Sequence, residues 1–203
     1  MTYDELVKYI RDEGCRVYVY KNKKTIYGGS RGTFDGYSEH GPIICVAIKD
    51  VESERCVETL LHEYGHFLQW QDGFLQYLDG ICDAYTLEDE WIKGKIEFAP
   101  RELTVVRNTM LAIEYDAERR GCKAGYWLQP DNFTEEFYLQ GAAAYMDSIK
   151  WEFARRIPTS DVPERTDYEG RVLTNDELFE DMEEERLVEL DGIFKRRKGK
   201  FQP

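Results

Sequence analysis

Hydrophobic positions change their period along the chain, and the changes divide it into regions. Thr2 and Glu5 have the spacing of a capping box, and Leu6, Val7 and Ile10 continue an apolar stripe that stops at Gly14, which predicts a short first helix. Residues 16–20 and 24–27 are rich in Val, Ile and Tyr, with Asn22 and Lys23 between them, and predict a hairpin or two adjacent strands. Gly28, Gly29, Gly32, Gly36 and Gly41 then mark a looser stretch. Ile43, Ile44, Cys45, Val46, Ala47 and Ile48 form a compact apolar run between Pro42 and Asp50, too short for a helix and therefore a strand.

From about residue 53 to 71 the period becomes helical, with Val57, Leu60, Leu61, Tyr64 and Leu68 on one face and Gly73 closing the element. All that follows reads as helical. Residues 102–121 repeat apolar positions at Leu103, Val106, Met110, Ile113 and Ala117 behind Pro100, and a third long helix spans about 134–156 before Pro158. Residues 157–175 carry Pro158, Pro163 and many charges, which reads as an extended linker, and 176–193 predicts a last helix. The expected organisation is one domain over 1–157 and a charged C-terminal extension over 158–203. The fold class is α+β: a small, mostly antiparallel N-terminal sheet followed by the helix over 53–71 and several long helices.

The net charge of −13 leaves no overall electrostatic footprint for nucleic acid, so nucleic acid is not an expected partner. The basic tail Lys195, Arg196, Arg197, Lys198 and Lys200 follows an acidic run and reads as solvated charge. Cys15, Cys45, Cys56, Cys82 and Cys122 are odd in number and hold no CxxC pair, as expected of free thiols in a reducing compartment. The longest apolar run is too short to span a bilayer, and the N-terminus holds no signal-peptide core, so a cytoplasmic protein without a membrane partner is expected.

Residues 62–66 read His-Glu-Tyr-Gly-His, the HExxH pattern. Residues four apart share one face of a helix, so both imidazoles can reach one metal ion, while Glu63 is rotated by roughly 100° and flanks the metal as a base. With three histidines in the chain, chance spacing is a weak rival. Taking Val57 as zero on a helical wheel, His62, His66 and Glu63 fall at about 140°, 180° and 240°. They oppose the apolar stripe and would line whatever cleft covers that face.

Catalytic zinc takes three protein ligands and keeps a position for water. His40 lies far upstream, and Gln69 and Asp72 stand where a longer histidine motif needs Gly and His, so the third ligand is expected to be a carboxylate. Among Glu114, Asp116 and Glu118, Glu114 falls inside the apolar arc of its helix, where an acid needs a partner. Asp116 points well away from that arc and Glu118 lies at its edge. Glu114 is therefore assigned as ligand and Glu118 as the acceptor that orients a ligand imidazole. The bland reading of Glu114 is a salt bridge with Arg107.

His62-Glu-Tyr-Gly-His66 followed by Glu114-Tyr-Asp-Ala117 resembles the glutamate-zincin peptidases, closest to the ImmA/IrrE-like metallopeptidases, whose second motif is Glu-x-x-Ala on the next long helix. The stretch from Glu114 to Arg120 is also similar to small metallopeptidases of large tailed bacteriophages, which would put the protein in a host cytoplasm. The resemblance covers roughly residues 43–151. It implies a zincin-like fold, one zinc on His62, His66 and Glu114, and Glu63 as general base for hydrolysis of a protein or peptide substrate, an endopeptidase before an exopeptidase. It also implies that the strand before the active helix, here residues 43–48, binds extended substrate. No histidine or tyrosine is assigned to the oxyanion, for which Tyr64, Tyr115 and Tyr126 are candidates by type alone. The alternative is an acidic interaction protein that keeps its metal for stability.

Overall fold

The computed structural model describes residues 1–26, 30–36, 38–49, 54–73 and 81–156. The C-terminal extension over 158–203, with its expected helix, lies outside these residues, as do Tyr27, Gly28, Gly29, Ser53 and Pro158. The elements in chain order are α1 (Tyr3–Asp12), β1 (Arg16–Lys21), β2 (Gly32–Asp35), β3 (Ile43–Ile48), α2 (Glu54–Gln71), α3 (Ile81–Ile92), α4 (Pro100–Leu128) and α5 (Glu135–Arg155). The fold is α+β.

The capping box at the start of α1 forms as its spacing predicts. Thr2 Oγ1 accepts from the Glu5 N–H (3.2 Å), and Glu5 Oε2 accepts from the Thr2 N–H (2.7 Å). Gly14, at φ +100°, turns the chain into β1.

The sheet differs from the expected one. Its order is β1-β3-β2, with β1 parallel to β3 (Arg16 opposite Ile43) and β2 antiparallel to it (Gly32 opposite Val46), so it is mixed rather than mostly antiparallel. Residues 24–26 form no strand, and the Ile26 N–H donates to the Ser30 carbonyl (2.7 Å). The parallel β1–β3 pair needs a long connection, and β2 forms within it, in the stretch whose glycines read as loose. β3 is thus paired along both edges. The expectation that Ile43–Ile48 receives an extended peptide is overturned, because its backbone groups are committed to β1 and β2. Among the described residues, β1 and β2 are the edge strands.

Helix α2 packs on the sheet through its aromatic face, with Phe67 edge-on to Phe34 of β2 and Tyr64 edge-on to Tyr9 of α1, each pair at 6.3 Å between centroids. Its other faces are covered by α4 and α5. Gly65 lies against the carbonyl of Ala117, and Gly121 against the carbonyl of Leu61, so the two backbones approach too closely for side chains between them. α4 therefore runs through Gly121, where the sequence pattern ended it: that glycine marks a helix contact, not a stop. α5 ends at Arg156 in the left-handed region, φ 56°. No helix among the described residues is long and apolar enough to cross a membrane. Cys15, Cys45, Cys56 and Cys122 are free thiols.

Candidate metal centre

His62, Glu63 and His66 sit in the middle of α2, where the helix passes between β2 and α4. Each offers a ligand atom within 4.8 Å of the others, and the group could hold a metal ion. Both imidazole side chains keep 14% exposure. The cover over this face comes from α3, α4 and α5 rather than from one wall.

α4 brings Glu114 to the histidines. Its Oε2 lies 3.4 Å from His62 Nε2 and 3.4 Å from His66 Nε2. Three donors held about 2.0–2.1 Å from a tetrahedral centre stand about 3.3–3.4 Å apart, whereas an N–H···O hydrogen bond is shorter, about 2.9–3.0 Å. Glu114 Oε2 is buried and has no hydrogen-bond partner, although it belongs to a residue only 2% exposed. A carboxylate oxygen in that position fits a cation equidistant from the three atoms. The alternative partner, Arg107, instead donates to Asn108 Oδ1 (3.2 Å).

The surroundings set the character of each group. Burial alone would raise the Glu114 pKa, but His66 and His62, with the Tyr85 hydroxyl donating to Oε1, hold it down at about 2. Burial would lower the His62 pKa, and it is outweighed by Glu118, whose Oε1 lies 3.1 Å from Nδ1, and by Glu63 and Glu114, which lift it to about 10. His66 is raised in the same way, chiefly by Glu114. Glu63 is raised by burial against the pull of the two histidines. It lies under β2, where Gly32 leaves room for its side chain: a methyl there would stand 2.7 Å from Glu63 Cγ.

Glu118, expected beside one imidazole of the pair, has its Oε1 3.1 Å from His62 Nδ1. Asp116 does not point away. It is buried between α2 and α4, accepting from Gln69 (2.9 Å), Arg120 Nε (2.7 Å) and Arg119, because α4 is covered on more than the one face its apolar arc marks. None of the three tyrosines named by type reaches the site. Tyr64 packs under Tyr9 and Phe67, Tyr115 accepts from Lys150 (3.3 Å), and Tyr126 is 63% exposed.

Among the described residues, Tyr85 of α3 and Tyr145 of α5 stand at the site. Tyr145 meets His62 edge-on at 5.4 Å, and burial, then Glu114, Glu63, Glu118 and Glu152, raise its pKa well above the ordinary value. Both tyrosines stand in helices whose apolar neighbours make an aromatic read as packing. The signal that could have marked them is the carboxylates on the same helices, Glu88 and Glu152, since burial and Glu152 lift the Glu88 pKa to about 8.

Comparison with protein-family models, curated proteins and solved structures finds no match to this chain.

Proposed function

We propose that the chain is a zinc-dependent peptidase of zincin-like fold, with His62, His66 and Glu114 as ligands and Glu63 as general base. The observation that carries this reading is the Glu114 oxygen, buried and without a hydrogen bond, 3.4 Å from Nε2 of both histidines of the HExxH motif. Histidine nitrogen with one carboxylate oxygen is a donor set that suits zinc. Zinc bound there would supply Lewis acidity, bringing the pKa of a water to about 7 and polarising a carbonyl.

The chain's own groups divide the remaining work. Tyr85 fixes one oxygen of Glu114, which leaves the other directed at the histidines. Glu118, at Nδ1 of His62, turns that ring so that Nε2 faces Glu114. Glu63 takes the proton of the attacking water and returns it to the leaving amine, and its raised pKa brings it closer to the neutral range where a general base works best. β2 is the edge strand beside Glu63, and among the described residues it pairs only with β3. An extended peptide added to that edge would run past the base, which moves the substrate strand from β3 to β2. Tyr145, beside His62, is the hydroxyl nearest in kind to an oxyanion donor.

Glu63→Gln is the test. The variant keeps the shape of the side chain and removes the group that accepts the proton. Zinc content should stay at one per chain, stability should change by less than about 1 kcal/mol, and turnover should fall by ~10²–10⁴-fold. Cleavage sites can be sought without assuming specificity, by comparing new peptide termini generated in a cell lysate by wild type and variant. A zinc-loaded wild type that generates none would favour the metal-stabilised interaction protein, and a chain that binds no transition metal would remove both readings.

A further inference from the structure

We propose that Gln69, Asp116 and Arg120 form a relay that fixes the ring of His66, which makes Gln69 and Asp116 positioning residues of the metal centre. The inference rests on the metal-site reading above and adds what holds its second histidine. The HExxH and Glu-x-x-Ala motifs name neither Gln69 nor a role for Asp116.

The geometry is closed at every atom. Gln69, 0% exposed, follows His66 by three residues on α2 and reaches across to α4. Its Nε2 lies 2.8 Å from the Ile113 carbonyl and 2.9 Å from Asp116 Oδ2, and its Oε1 lies 2.9 Å from His66 Nδ1. A carbonyl and a carboxylate can only accept, so both hydrogens of the Gln69 amide are committed to them. The reversed amide would set oxygen against oxygen at both contacts. Gln69 Oε1 therefore faces the imidazole, and an amide oxygen also only accepts. His66 Nδ1 must carry the hydrogen, so in the neutral ring that a metal requires the lone pair falls on Nε2, the atom facing Glu114 Oε2.

Asp116 is held in turn by Arg120 Nε at 2.7 Å and by Arg119, and Arg120 also bonds Asp72 at the end of α2. The chain of contacts thus crosses from α2 to α4 and back, and ties the angle of one imidazole to the docking of the two helices. The two histidines are supported differently: His62 by the carboxylate of Glu118, His66 by a neutral amide oriented through a second residue. His62 is therefore an internal control.

The experiment measures zinc affinity of the full chain with Gln69→Met and Asp116→Asn, together with imidazole NMR of both histidines in zinc-loaded and metal-free protein. Gln69→Met should weaken zinc binding by ~10–100-fold, the usual cost of losing such a partner. The Nδ1 proton of His66 should be lost to solvent exchange while that of His62 persists. Asp116→Asn keeps an acceptor for Gln69 but loses the charge that holds it, and should give a smaller loss with the same selectivity for His66. Zinc affinity within twofold of wild type, or equal effects on the two rings, would overturn the relay. Should Gln69→Met fail to fold, Asp116→Asn decides by the same two criteria. If the wild type binds no zinc, the metal reading falls, and exchange of the two Nδ1 protons in metal-free chain still judges the relay on its own.

Discussion

Glu63 can lie beneath β2 because residue 32 has no side chain. A methyl at that position would overlap Oε1 and stand 2.7 Å from Cγ, and Glu63, 5% exposed, has little free space to retreat into. Gly32→Ala should therefore displace the side chain of Glu63, the base of the proposed reaction, while His62 and His66, which face Glu114 from the same helix, and Glu114 on α4 keep their places. Zinc affinity should hold, and turnover should fall by ~10²-fold, the scale associated with a misplacement of about 1 Å. Normal turnover would show that Glu63 is free to move or is not the base. Single residues also mark how far the chain could be read in advance. His62, Glu63 and His66 are legible because helical spacing fixes their relation locally, and Glu114 because an acid within an apolar arc faces inward. Asp116 and Gln69 are not, because a wheel built on apolar residues has no place for a polar contact on a second covered face.

Between elements, the approach of α2 to α4 decides whether the half-sites meet, since the histidines sit on one helix and Glu114 and Glu118 on the other. Gly65, inside the HExxH motif, and Ala117, inside the Glu-x-x-Ala motif, are where the backbones touch: an added Cβ on Gly65 would lie 3.2 Å from Ala117 Cα and closer still to its carbonyl. Small residues at both positions thus have a packing cause that needs no chemistry. Gly65→Ala should destabilise the chain by about 1–3 kcal/mol, as overpacking does, against the ~1 kcal/mol that alanine gains over glycine within a helix. Urea unfolding measures the balance, and a neutral or stabilised variant would show that the helices part easily. Zinc affinity should fall with stability, since the same wedge separates His66 from Glu114. At this scale the capping box, β3 and the two long helices were readable from period and punctuation. The sheet was not: β2 is four residues among glycines, and a parallel β1–β3 pairing follows from how the chain crosses over, which no local pattern records.

Taken as a whole, the molecule sets Glu114, Glu63, Glu118 and Glu152 around Tyr145, with His62 and His66 facing them. In the metal-free chain both histidines hold their protons above the ordinary imidazole range, His62 up to about 10 from 6.5. The unfolded chain would release them near 6.5, so the folded chain binds more protons between those values, and its stability falls as pH rises through that window. Glu114, lowered to about 2 from 4.5, is the other side of the same interaction: its share is present above 4.5 and is lost as pH falls toward 2. These groups make the metal-free chain most stable between 4.5 and 6.5. Zinc reverses the sign above that range, because it needs both imidazoles deprotonated and so binds more tightly as pH rises. The gap in melting temperature between zinc-loaded and chelator-treated chain should therefore widen from about pH 6 to about pH 9, and zinc binding near neutrality should release protons. Calorimetry in buffers of different ionisation enthalpy counts those protons. A gap that stays constant with pH, or binding with no proton release, would mean that zinc sits elsewhere on the molecule and that the two imidazoles remain bound to their carboxylates.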